Sequence, residues 1–289
     1  MVEVVTRARG PYSLALTARH AGDATRRFRD GVLDAVVPVG EAGGRVERAA
    51  ARQLPDGSLR LVADSDESLA ALRFTLAADA DHSEFLRRFR DDELLGPATS
   101  ALAGLRPLRV STVAHALLRA LCGQLIESSR ARFLERRIVR AVTPAHGSLH
   151  APPTAAALGA LAPAELRRLG LHARRGATLV RVCTSLDLDR LRDCPAETVA
   201  GRLGRERGLG PWSVGVVALE GLGRYDLGLV GDLGLIKLVS SLRGRRAESW
   251  ETEELLAPYG EWAGLASMYL LSAWARGLLP VSPAQRFAA

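Results

Sequence analysis

Two hydrophobic periodicities divide the chain. Over roughly the first hundred residues, apolar and polar positions alternate in short runs. Gly31 to Val39 and Gly44 to Leu54 read as strands. Pro55-Asp56-Gly57-Ser58 is a turn signal, and Leu59 to Ala63 resumes the alternation. Tyr12 to Thr17 alternates too and is expected as a further strand. Ser83 to Leu95 reads as a helix with Phe85, Leu86 and Phe89 on one side. From about Val110 the spacing becomes helical. Ser111 or Thr112 can cap a helix running through His115 to Cys122, and Ser129 to Val142 forms the next. Thr143 to Pro153, with its Pro, Gly and Ser, reads as a loop. Helices then follow over Pro163–Leu169, Ala173–Leu186, Ala196–Leu203, Trp212–Gly221, Asp232–Leu242, Glu251–Leu256 and Gly264–Arg276. The expected fold is α+β: an antiparallel-sheet domain over residues 1–105, then an all-helical domain over 106–289. The change of character falls between Pro97 and Pro107.

Composition narrows the function classes. The chain has 289 residues, 47% of them hydrophobic, enough for one large core or two ordinary ones. Its net charge of +7 favours an anionic partner, with nucleic acid first and an acidic membrane second. Lys237 is the only lysine, so an amine nucleophile would have to be Lys237 or the N-terminus. No apolar run reaches the ~18 residues of a membrane span, and no charged start leads into a signal-peptide core. Cys122, Cys183 and Cys194 form no CxxC pair and are expected to be reduced structural thiols, which fits a cytoplasmic location.

The segment with the most chemistry is Arg207-Gly208-Leu209-Gly210-Pro211-Trp212-Ser213. A helix ends before it and another begins at Pro211, where a missing N–H costs nothing. Gly208 and Gly210 leave backbone amides uncovered at that helix N-terminus, an arrangement that holds a phosphate without lysine. The same residues also suit a plain helix-to-helix turn. Downstream, Gly231-Asp232-Leu233 sets a carboxylate where a loop meets a helix, amid apolar neighbours. Such an acid is ordinarily an N-cap; the functional alternative is a carboxylate facing a cavity.

Three passages together resemble the helix–hairpin–helix DNA glycosylase superfamily, with DNA-3-methyladenine glycosylase II as the nearest type. They are Leu121-Cys122-Gly123-Gln124-Leu125-Ile126, the hairpin at Gly208 to Ser213, and Gly231-Asp232-Leu233-Gly234-Leu235. The likeness covers roughly residues 108 to 276. It implies a base-flipping repair enzyme on double-stranded DNA, at the nucleoid of a prokaryotic cell; with no long apolar seam left over in the sequence, a monomer is expected. Asp232 would be the catalytic carboxylate. Gln124 and Leu125 would fill the gap left by the flipped nucleotide. Gly208, Leu209, Gly210 and Ser213 would hold a phosphate. Trp212, Val216, Leu233 and Leu271 would line the base pocket. At the hairpin position where bifunctional members carry a lysine stands Trp212, which implies a monofunctional enzyme using water. The carbonyls of Gly204, Arg207 and Leu209 are candidates for a monovalent cation, Na or K. The family's iron–sulfur cysteine spacing is missing, so no cluster is expected.

The chain departs from the family at the pocket. Val216 and Leu233 stand where the family carries tyrosines, and Leu271 where it carries a stacking tryptophan. Trp262, Tyr269 and Trp274 are the aromatics that could compensate. The leading expectation is excision of alkylated bases. The alternatives are a non-catalytic protein that binds damaged DNA and a glycosylase for another lesion. Arg130, Arg132, Arg136, Arg137 and Arg140 form a solvated basic face with some phosphate contacts at most. His146 and His150 lack a third ligand, and Ser128 and Ser129 lack a triad.

Overall fold

The longest alternating runs pair with each other. In a computed structural model of the chain, which describes residues 1–40 and 44–279, β3 (Val32–Val39) lies antiparallel to β4 (Arg45–Gln53), from Val32 opposite Arg52 to Val39 opposite Arg45. Around this pair assemble β1 (Val2–Thr6), β2 (Arg26–Arg29) and β5 (Leu59–Ala63), giving one antiparallel sheet in the order β1-β5-β4-β3-β2. Alternation sends Leu33, Ala35 and Val37 of β3 and Leu59 and Leu61 of β5 into one core. That core is closed by α1 (Leu14–Ala18) and α2 (Asp66–Thr75), through Leu14, Leu69 and Leu72.

α1 corrects the strand expected at Tyr12 to Thr17. The Ser13 hydroxyl accepts from Leu16 N at 3.2 Å, capping a helix that buries Leu14, Thr17 and Ala18 at helical spacing. The helix expected over Ser83 to Leu95 also breaks early, at Arg88. It is followed by a separate α4, so the segment is α3 (Ser83–Arg88) and α4 (Gly96–Ala101).

The remaining helices are α5 (Val113–Gly123), α6 (Ser128–Val142), α7 (Ala155–Gly159), α8 (Pro163–Arg168), α9 (Ala173–Ser185), α10 (Ala196–Gly204), α11 (Pro211–Val216), α12 (Leu233–Arg243), α13 (Glu251–Leu256) and α14 (Ala263–Arg276). A π turn, Val217–Leu222, prolongs α11. They enclose a second core, which also takes Phe85, Phe89, Leu95, Ala98, Leu102 and Leu105 from before the expected boundary. Phe85 packs edge-on to Tyr269 at 5.0 Å, and Tyr269 Oη donates to Leu105 O at 3.0 Å. Residues 83–105 are thus part of the helical layer.

Buried cations join the two layers. Arg106 is 1% exposed and donates to the carbonyls of Ala77 (2.6 Å) and Pro11 (3.0 Å). Arg119 on α5 bonds Asp23 from the sheet side (2.7 Å), Glu135 on α6 (3.0 Å) and Glu220 of the π turn. Glu135 also meets His115 Nε2 at 2.7 Å. Asp23, His115 and Glu135 bring three metal-type ligand atoms within 4.8 Å of one another, but guanidinium groups already pair both carboxylates, Arg26 and Arg119 at Asp23 and Arg119 at Glu135. Among the described residues no helix is long and apolar enough to cross a membrane.

Candidate active site

The site is built where three loops meet. The first follows α10. There Gly208 takes φ +98°, a conformation an L side chain resists, and a Cβ at that position would stand 2.5 Å from Thr178 Oγ1. Gly210 then caps α11 in extended conformation, with Pro211 in the first turn. Gly208 and Gly210 are exposed, whereas Leu209 and Ser213 are buried beneath them. The hairpin therefore presents backbone rather than side chains to solvent.

The second loop ends α5. Leu125 sits at its tip with φ +54°, 82% exposed. A non-glycine residue in this region costs on the order of 1–3 kcal/mol unless its surroundings compensate, and an exposed leucine gains nothing in water. Its neighbour Gln124 turns inward: Nε2 donates to Gly208 O at 2.8 Å and to Ser213 Oγ at 2.9 Å. The exposed leucine and the glycine hairpin are thereby fastened together.

The third loop carries Asp232. Its Oδ1 accepts from Gly234 N (2.7 Å) and Leu235 N (3.3 Å), capping α12. Its Oδ2 accepts from Trp212 Nε1 at 2.8 Å. The N-cap reading of this residue holds: one oxygen caps the helix, while the other is bonded by the indole of the hairpin and lines neither of the two surface cavities described below. Trp212 reaches Asp232 by lying over Gly123, where a Cβ would meet its ring at 2.7 Å. Gly123 is the space that lets the indole span from the end of α5 to the carboxylate.

Among the expected pocket residues, Trp212 and Leu271 are placed at the site. Leu271 Cδ2 packs on Gly234, beside the carboxylate. Leu233 is 46% exposed next to Asp232, and Val216 is buried one turn beyond Trp212. Tyr269 and Trp262 do not replace the missing aromatics. Tyr269 is fully buried in the helical core, and Trp262 stacks on Tyr225 at 6.0 Å with 17° between the rings. Two surface cavities, of 430 and 260 Å³, are lined by other residues.

Some residues that shape the site carry no local sequence signal. Thr252 Oγ1 accepts from Gly231 N (2.7 Å) and Ser267 Oγ from Leu229 N (3.1 Å), fixing the backbone that delivers Asp232. From α9, Thr178 Oγ1 (3.1 Å) and the Arg181 guanidinium (2.5 Å) donate to Arg207 O. That carbonyl is turned toward a side-chain cation and does not fit as one arm of a cation site. The Cys122 thiol is pushed far up by burial, and that of Cys183 to about 12 by the same cause, so both are unreactive. Lys237 is exposed on α12, five residues past Asp232 and so about 140° round the helix from it.

No protein-family model matches the chain. It is 27% identical over 206 residues to the probable bifunctional transcriptional activator/DNA repair enzyme AlkA of Mycobacterium tuberculosis, covering 70% of this chain. The match spans only 41% of that relative's length. Among solved structures, the 3-methyladenine DNA glycosylase from Archaeoglobus fulgidus superposes with a TM-score of 0.79 at 19% identity, over 94% of this chain and 98% of the other. An 8-oxoguanine glycosylase/lyase from Clostridium acetobutylicum, in complex with double-stranded DNA, gives 0.78 at 15% identity, over 95% and 96%. By sequence the chain is similar to relatives named AlkA and DNA-3-methyladenine glycosylase, and it shares its fold with solved helix–hairpin–helix DNA glycosylases.

Proposed function

We propose that this protein is a monofunctional DNA glycosylase of base excision repair, with alkylated bases as its substrates. The observation that carries the reading is the joining of three elements through two side chains. Gln124 ties the exposed Leu125 to the hairpin, and Trp212 ties the hairpin to the Asp232 carboxylate. Each element answers one demand of the reaction. The bare amides around Gly208 and Gly210 grip a phosphate by hydrogen bonds that need no lysine. Leu125 enters the stack and fills the space of the extruded nucleotide, offsetting lost stacking. Asp232 supplies negative charge where the sugar becomes oxocarbenium-like, and orients the attacking water. An alkylated purine already carries positive charge, so it leaves with little acid assistance.

Water is the nucleophile because the hairpin offers Trp212 and the lone lysine, Lys237, lies off the Asp232 face of α12. The product is an abasic site in an uncut strand. The names of the Mycobacterium tuberculosis and Archaeoglobus fulgidus relatives support the alkylated-base preference. Val216, Leu233 and Leu271, the residues expected to line the pocket, are aliphatic, which weighs against strong stacking on a cationic base.

A second reading has one observation in its favour. Both oxygens of Asp232 are bonded within the protein, which suits a non-catalytic sensor of damage. One experiment separates the two. The protein is incubated with duplexes each carrying one defined lesion, among them an alkylated purine and 8-oxoguanine. Hot alkali then reveals abasic sites. Cleavage after alkali at the alkylated purine is the expected result. Cleavage before alkali would refute the use of water. Tight binding with no cleavage at any lesion would establish the sensor, and cleavage at 8-oxoguanine alone would replace the substrate.

A further inference from the structure

α6 starts three residues after Leu125. One side of it, with Leu134, Ile138 and Val139, is buried against the helical core. The other side is basic, with Arg130, Arg132, Arg137 and Arg140 exposed. Among these arginines stands Phe133, 59% exposed. One exposed aromatic is ordinary by itself; what sets Phe133 apart is that it stands at a groove with arginines on its rim. Phe133, Ala141 and Leu169 line a groove of 430 Å³, and Arg136, Arg137 and Arg140 complete it. The groove lies between α6 and the α8–α9 turn, since Leu134 packs on Gly170 and Arg137 reaches Arg168 O at 3.5 Å. No carboxylate lines it: Glu135 points to the opposite side, where His115 and Arg119 hold it.

We propose that this groove binds a DNA strand containing an unpaired nucleotide beside the lesion duplex, its base stacked on Phe133 and its phosphates on Arg137 and Arg140. The lining matches that ligand. A guanidinium fork meets phosphate oxygens in a bidentate way, and the absence of acid keeps the potential positive. A phenyl face accepts any base, so the site reads single-strandedness rather than sequence. The rise of α6 sets Phe133 about 8 Å and Arg140 about 18 Å from its first residue. These groove residues thus lie along the helix that begins beside Leu125. The proposal builds on the DNA-repair reading of the hairpin and adds a second, distinct DNA contact.

The test uses the full chain and fluorescence anisotropy with two probes. One is a blunt lesion duplex; the other is the same duplex with a single-stranded tail. The wild type is expected to bind the tailed probe more tightly. Phe133→Ala should cost that probe about tenfold in affinity, and Phe133→Trp should keep it. Arg137→Ala and Arg140→Ala should each lower the tailed probe's salt slope by about 0.7. Blunt-duplex binding and base release should be unchanged in all four variants. The proposal is overturned if the tail adds nothing, or if Phe133→Ala weakens both probes equally. It is also overturned if Phe133→Ala abolishes binding to anionic lipid vesicles while sparing the tailed probe. If the wild type fails to bind even the blunt duplex, the glycosylase reading itself falls. Normal blunt binding without a tail effect sinks the groove alone.

Discussion

Replacing Asp232 by asparagine removes a charge while leaving a helix cap in place. Asparagine caps as well as aspartate, so its oxygen can keep the bonds now made to Gly234 N and Leu235 N. The amide nitrogen then faces Trp212 Nε1, donor against donor, and the indole loses its acceptor. A lost hydrogen bond of this kind at a half-buried site costs about 1 kcal/mol, which lowers Tm by about 2–4 °C. The chemical step loses far more. Removing a preorganised electrostatic partner of a transition state costs about 10²–10³ in rate, or about 2.7–4 kcal/mol. A few degrees in Tm leaves the protein folded at assay temperature, so the two effects separate. Excision is measured under single turnover with enzyme in excess, followed by hot alkali. Duplex affinity is followed by anisotropy and stability by thermal melting. The expected variant binds, melts slightly early and fails to release base. Asp232→Ala should match it in rate but lose about 1 kcal/mol more through the missing cap. Excision by Asp232→Asn within tenfold of wild type would refute the role given to the charge.

Three further outcomes follow from the same geometry. Leu125→Ala should leave Tm unchanged, because the side chain is exposed, yet weaken binding to an abasic duplex about tenfold in anisotropy; equal affinity removes the wedge. Gly208→Ala forces a Cβ onto Thr178 at φ +98°, strain of about 1–3 kcal/mol, and should lower blunt-duplex affinity; unchanged affinity shows that the hairpin is not the grip. Arg119→Ala should cost up to about 3–5 kcal/mol at neutral pH, read from denaturant midpoints, because it leaves buried Glu135 with only His115 and buried Asp23 with only Arg26. Burial alone would raise Asp23 and Glu135. Arg26 and then Arg119 at Asp23, and Arg119 and then His115 at Glu135, outweigh it and hold Asp23 well below, and Glu135 below, the ordinary carboxylate value. Their stabilising effect is thus present above pH ~4 and lost as acid is added, so the gap between wild type and Arg119→Ala should narrow below pH ~4. A gap independent of pH would refute that account.

The legible parts of the chain were those whose signals are local. Thr112 caps α5 through His115 N, and the apolar residues behind it keep helical spacing, so cap and period agree. The hairpin was visible because Gly208, Gly210 and Pro211 each state a backbone need within four positions. Tyr12 to Thr17 misled because a five-residue helix offers barely one turn of period, and Ser13 decides the matter by capping. β1 went unread although Val2 and Val4 alternate, since its pairing with β5 is distant in sequence. The same limit holds at the site. Asp232, Trp212 and Gln124 could be named through the family resemblance. That Gly123 makes room for the Trp212 ring, that Thr252 and Ser267 hold the loop before Asp232, and that Arg181 takes the Arg207 carbonyl could not be. Those contacts join separate helices, and no local pattern encodes them.

Trp212 is where wedge, hairpin and carboxylate depend on one another, and its indole nitrogen can be tested apart from its ring. Trp212→Phe keeps an aromatic surface over Gly123 and deletes the N–H bonded to Asp232 Oδ2. Asp232 then keeps two donors, both from its own helix, and its free oxygen is no longer aimed by the hairpin. A hydrogen bond to a charged acceptor is worth about 1.5–3 kcal/mol, so excision should slow about tenfold or more, while duplex affinity, set by backbone amides, should hold. The double variant Trp212→Phe/Asp232→Asn distinguishes aiming from stacking. If the indole acts by orienting the carboxylate, nothing remains to orient once the charge is gone, and the double variant should be no slower than Asp232→Asn alone. If the two losses multiply instead, the ring acts on the base directly, and the coupling between hairpin and carboxylate is not part of the chemistry.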